Sequence, residues 1–138
     1  MSKIVEQARK IKQEILRNIT NSEDKTLAIA VSDYYDVWAN GDYKVGAVRL
    51  HPQTGAPYEC ITAHDSSINT DWTIDTPALW KPYHSRTKEF ALPWVPPTGA
   101  HDMYKTGEFM IFTDGEIYEC VSDTNYNPSE YAAAWKLV

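Results

Sequence analysis

One order of residues occurs twice in this chain. The first copy runs Trp38, Tyr43-Lys44-Val45-Gly46, Tyr58-Glu59-Cys60, Pro77, Trp80. The second runs Trp94, Tyr104-Lys105-Thr106-Gly107, Tyr118-Glu119-Cys120, Pro128, Trp135. The offset is 61 residues at the Tyr-Lys-x-Gly step and 60 at Tyr-Glu-Cys. Two matched motifs, bracketed by Trp in both copies, indicate one supersecondary unit used twice. A unit of roughly 45 residues buries little surface. Large aromatics must therefore supply much of each core, and composition agrees: nine Tyr and five Trp against three Phe. Tyr and Trp carry a polar handle, which suits small cores closed by hydrogen bonds, or binding surfaces.

Each copy reads as a β-unit. The Gly of Tyr-Lys-x-Gly turns the chain before a strand. Alternation then sets Val48 and Leu50 on one face, and likewise Phe109 and Ile111. Asp114-Gly115 between alternating runs signals a tight hairpin. The first copy uses a longer turn, His51 to Ala56. The return strands, Tyr58–Thr62 and Ile117–Ser122, put Tyr and Cys on the same face. Cys60 and Cys120 occupy equivalent positions in different units, so they are expected as small buried hydrophobes rather than as a pair. A long irregular loop leads to each closing Trp.

The N-terminal segment differs. Ile4, Ala8, Ile11 and Ile15 are spaced 4, 3 and 4, a single helical stripe widened by Val5, Leu16 and Ile19. The spacing predicts a helix over about 2–19. A helix this short is marginal alone, so it either docks on the chain or associates with copies of itself, as dimer or trimer. Ser22 is expected to cap a second short helix, with Glu23 and Asp24 in its first turn. The expected class is α+β, with a helical segment over 1–32 and two small three-stranded, aromatic-rich β-modules over 33–84 and 85–138.

Net charge is −6, which argues against a nucleic-acid partner, since phosphate neutralisation needs excess Lys and Arg. Membrane insertion is not expected: no apolar run reaches 18 residues. The start lacks the apolar stretch of a secretory signal, which predicts synthesis in the cytoplasm. No nucleophile elbow, phosphate loop or H-E-x-x-H occurs, so neither enzymatic activity nor a catalytic residue is expected. His51, His64, His84 and His101 fall in no metal spacing, and neither metal nor cofactor is expected. His64-Asp65 and His101-Asp102 read as surface loop residues.

The order W…Y-x-x-G…G-x-x-Y-x-(small)…P…W resembles the small chitin-binding type modules of carbohydrate-binding families 5 and 12. It covers about 38–83 and 94–138. The wider layout adds the N-terminal helix, Ala63-His64-Asp65-Ser66, Asp71-Trp72-Thr73 before Trp80, and Trp94-Val95-Pro96-Pro97-Thr98-Gly99 before the second copy. That layout is similar to short proteins of bacteriophage and prophage tail gene clusters. The resemblance implies a virion component at the tail tip, baseplate or a fibre, contacting other virion proteins and host cell-surface polysaccharide. Alternatives are an architectural capsid fibre or decoration subunit, or an accessory module of a glycosidase. The family's exposed aromatics follow the Tyr-x-small step, but here those positions are Thr62, Ala63 and His64, and Ser122, Asp123 and Thr124. Trp72 and Tyr126, later in the same loops, are the candidate carbohydrate-binding residues; packing of each loop onto its core is the other reading.

Overall fold

The computed structural model describes residues 3–20, 24–99 and 101–138, with residues 15–17, 19 and 20 described by backbone alone. Helix α1 spans Lys3–Thr20. On its apolar stripe Ile4 is 79% and Ile11 57% exposed. Lys12 Nζ lies 5.1 Å from the centroid of the Tyr34 ring, in the 3₁₀ turn Ser32–Tyr34. Helix α2 is a short Thr26–Ala30 turn that buries Ala28 and Ile29. The expected Ser22 cap and its neighbour Glu23 lie outside the described residues. Asp24 accepts the Thr26 N–H at 2.9 Å, and a bond from the Thr26 side chain, together with this one, holds its carboxyl below the usual range.

The rest of the chain is mostly β. Strands β1 (Asp42–Tyr43) and β4 (His64–Asp65) pair with each other. Strands β2 (Val48–Leu50), β3 (Pro57–Cys60) and β5 (Trp80–Pro82) form a three-stranded antiparallel sheet. Strands β6 (Leu92–Pro93), β7 (Phe109–Ile111), β8 (Ile117–Cys120) and β9 (Trp135–Leu137) form a second sheet. This sheet has four strands rather than the three expected, because β6 adds in parallel to β7. In the first sheet the same place holds only a parallel bridge, Val37 to Leu50.

Matched backbone bonds recur in the two halves. Trp38 N–H donates to Leu50 O at 2.9 Å and Trp94 N–H to Ile111 O at 2.8 Å. Gly46 N–H reaches Cys60 O at 2.9 Å, and Gly107 N–H reaches Cys120 O at 2.8 Å. Both glycines have φ of +94°, where a side chain would be strained. Cys60 pairs with Trp80 across the sheet, and Cys120 with Trp135. Each thiol lies against a carbonyl two residues on, that of Thr62 or Ser122. Both cysteines are free and buried.

The faces that carry Val48 and Phe109 are not the ones that meet the aromatic cores. In the second half the fully buried residue of β7 is Met110, while Phe109 and Ile111 are half-exposed. Met110 packs with Tyr104, Cys120, Ala134 and Trp135. Its counterpart Arg49 lies over Tyr43, 5.1 Å from the ring centroid. Val48 is buried, but against Ala28, Ile29 and Tyr83 rather than in the aromatic core of Tyr43, Tyr58, Cys60, Ile74 and Trp80. Helix α2 covers the face of the first sheet that bears Val48.

Candidate functional site

The second half carries an open groove of about 480 Å³ beside its core. Trp94 forms one wall. β6 ends at Pro93, so the β6–β7 pairing aims Trp94 back over the sheet. Its ring stacks on Tyr104 at 5.0 Å and 15°, and meets Trp135 and Phe112 edge-on at 6.1 and 6.3 Å. Three ring contacts thus fix its orientation. Tyr104 is fully buried, which raises its phenol well above the usual range, and its oxygen accepts the Val95 N–H at 3.2 Å.

Tyr126 lines the groove and is 57% exposed. Its backbone is held from both sides. Its N–H donates to Thr124 Oγ1 at 3.0 Å, and its carbonyl accepts Trp135 Nε1–H at 2.9 Å. An exposed aromatic on an anchored backbone can stack on a flat apolar surface at low entropic cost.

Polar groups surround these rings. Among the described residues Asn125 Oδ1 is buried without a hydrogen-bond partner, an acceptor that a hydroxyl would satisfy. Asn127 Oδ1 accepts the N–H groups of Ser129 and Glu130, both at 2.9 Å, and Glu130 Oε1 accepts the Asn127 N–H at 3.1 Å. This reciprocal pattern is that of a capping box, and it fixes the Glu130 carboxylate at the rim. Among the described lining residues Glu130 alone is charged.

The Pro96–Gly99 turn also lines the groove. Asp102 ties it down: its carboxylate accepts Thr98 N–H at 2.8 Å, Thr98 Oγ1–H at 3.1 Å and Gly99 N–H at 3.1 Å. Burial opposes ionisation of Asp102, but the bonds from Thr98 and Gly99 prevail and lower its pKa. Gly99 has φ of +91°, and a Cβ there would stand 3.6 Å from Asn125 Nδ2. The turn therefore closes on Asn125 with ordinary contact.

The two sequence-expected residues are not brought together. Tyr126 is in this groove, whereas Trp72 is half-buried against the core of the first half. The Trp72 ring meets His64 edge-on at 6.3 Å and 86°. His64 corrects the surface-loop reading. It is 9% exposed, with Nδ1 2.7 Å from Thr62 O and 3.8 Å from Cys60 Sγ. Pairing of β4 with β1 draws it inward, a long-range event that a His-Asp dipeptide does not signal. Asp102 is also buried, for the turn it ties, while His101 is exposed as expected. Trp94, Asn125 and Glu130 were not anticipated as site residues. The Asn-Tyr-Asn triplet around Tyr126 was the visible signal for Asn125 and its neighbour.

Among the described residues no group of three or more His, Cys, Asp or Glu could hold a metal ion. No helix among them is long and apolar enough to cross a membrane. Compared with known proteins, the chain matches no family model and no curated sequence.

Proposed function

We propose that the chain is a virion structural protein of a bacteriophage or prophage tail, carrying two carbohydrate-binding-like modules in tandem over 33–84 and 85–138. The second module engages host-surface glycan through the Trp94–Tyr126 groove. The observation that carries the binding role is an exposed Tyr126 that lines one groove with an oriented Trp94 and with Asn125, Asn127 and Glu130. Aromatic faces take the apolar faces of sugar rings, and amides and a carboxylate take their hydroxyls. The tandem reading is supported by the matched bonds of the two halves. The virion role is supported by the resemblance of the layout to tail-cluster proteins.

Titration of the protein's tryptophan fluorescence with chitin oligosaccharides and host cell-wall polysaccharide tests the binding role. Saturable binding that Tyr126→Ala weakens about tenfold is expected, one stacked ring being worth on the order of 1 kcal/mol or more. No saturable binding to any glycan, or binding indifferent to Tyr126→Ala, overturns it.

A second reading, an architectural fibre or decoration subunit, is favoured by α1, where Ile4 and Ile11 face solvent. Both readings have α1 associate with other copies or with neighbouring virion proteins.

A further inference from the structure

Where the end of β5 meets the 101–108 segment, a cavity of about 230 Å³ opens. Its charges are unlike those of the chain. Lys25, Lys81, Arg86 and Lys105 line it, against the two carboxylates of Asp102 and Glu108. Among the lining residues cations outnumber carboxylates by two, on a protein of net charge −6, and Asp123, outside the lining, stands 3.8 Å from the exposed Lys105 Nζ.

Both carboxylates already have partners. Asp102 is taken up by the Thr98–Gly99 turn. Glu108 Oε1 accepts Lys105 N–H at 2.7 Å and bonds His84 Nδ1 at 3.1 Å. A carboxylate only accepts, so the tautomer that makes this bond is the one with its proton on Nδ1. The His84 ring lies flat on Tyr104, 3.8 Å away at 6°. Its side chain is only 9% exposed, and Nε2 is buried without a hydrogen-bond partner among the described residues. Lys25 is placed from the helical segment, its Nζ 4.0 Å from Glu59 and 5.2 Å from the Tyr83 ring centroid. Arg86 is anchored by its own N–H to Thr26 Oγ1 at 2.8 Å. Three separate segments thus bring cations to one small cavity.

We infer that this cavity binds a compact oxyanion, a phosphate or carboxylate carried by an acidic glycan. The volume falls below that of common drug-sized sites and suits one charged group with at most one sugar. Arg and Lys at a cleft wall recognise such groups by charge-assisted hydrogen bonds. The sugar part of the ligand rests on the glycan reading above; the anion site does not.

The test is amide NMR titration of the full chain at low ionic strength with inorganic phosphate, glucose 1-phosphate, glucuronate and glucose. Saturable shifts confined to Lys25 and residues 81–86 and 101–108 are expected with the anions and not with glucose. The phosphate and glucuronate arms tell which anion is preferred, and glucose 1-phosphate tells whether a sugar is accommodated. The double substitution Arg86→Gln, Lys105→Gln should weaken phosphate binding about tenfold or more, while Lys10→Gln on α1 leaves it unchanged. Tyr126→Ala should also leave the phosphate response intact, which separates failure of this site from failure of the groove. No saturable shifts with any anion in the unsubstituted protein, shifts spread over α1, or equal weakening by Lys10→Gln would overturn the inference. The titration of the unsubstituted protein reads the site even if the double variant fails to fold.

Discussion

Replacing Asp102 by Asn keeps shape and removes charge, so it isolates what the carboxylate does for the groove wall. Asp102 accepts three hydrogen bonds, two on one oxygen from Thr98 and one on the other from Gly99. An amide keeps one oxygen and turns an NH₂ toward a backbone N–H, so at least one charge-assisted bond is lost. Such a bond contributes about 1.5–3 kcal/mol. For a chain of this size roughly 4 °C of melting temperature accompanies each kcal/mol, so Asp102→Asn should melt about 6–12 °C below the unsubstituted protein at pH 7. The folded pKa of Asp102 lies below its ordinary value of 3.8. Its contribution is therefore full above the unfolded pKa and lost as pH falls through the folded one. The melting difference should shrink below about pH 5 and vanish in strong acid. Circular dichroism melts at pH 7 and in strong acid, with exposed Asp71→Asn as control, provide the assay. Equal melting at pH 7, or a difference that persists undiminished in acid, refutes the reasoning.

Other outcomes follow from burial. Met110→Ala should cost about 2–5 kcal/mol by chemical denaturation, because a fully buried side chain leaves a cavity, whereas Arg49→Ala at the matching position should cost about 1 kcal/mol or less. Burial pushes the Cys120 thiol up to about 11 and raises that of Cys60, so in the folded protein at pH 8 both should react slowly with a thiol reagent and quickly in denaturant. Rapid reaction of the folded protein would contradict this. Ile4→Glu with Ile11→Glu should lower the molar mass by light scattering without changing the melting temperature, since both side chains face solvent within one chain; an unchanged mass would remove α1 as the association surface.

Local chemistry made much of the architecture readable in the sequence. The helix over Lys3–Thr20 follows from its apolar spacing. The turns at Gly46, Gly107 and Gly115 follow from the one residue that tolerates their positive φ, and the Tyr-Glu-Cys strands from alternation. Period-2 alternation says which residues share a face, not which face meets a core. That depended on α2 covering Val48 and on Trp135 closing over Met110, contacts between segments far apart in the chain. The same holds for the sites. Tyr126 was visible as an aromatic in a polar loop, but its setting beside Trp94, the burial of His64 and the gathering of Lys25, Arg86 and Lys105 at one cavity were not. Turn and strand signals are local energies of neighbouring residues. A groove or a charged cavity is a juxtaposition, decided only when the whole chain packs.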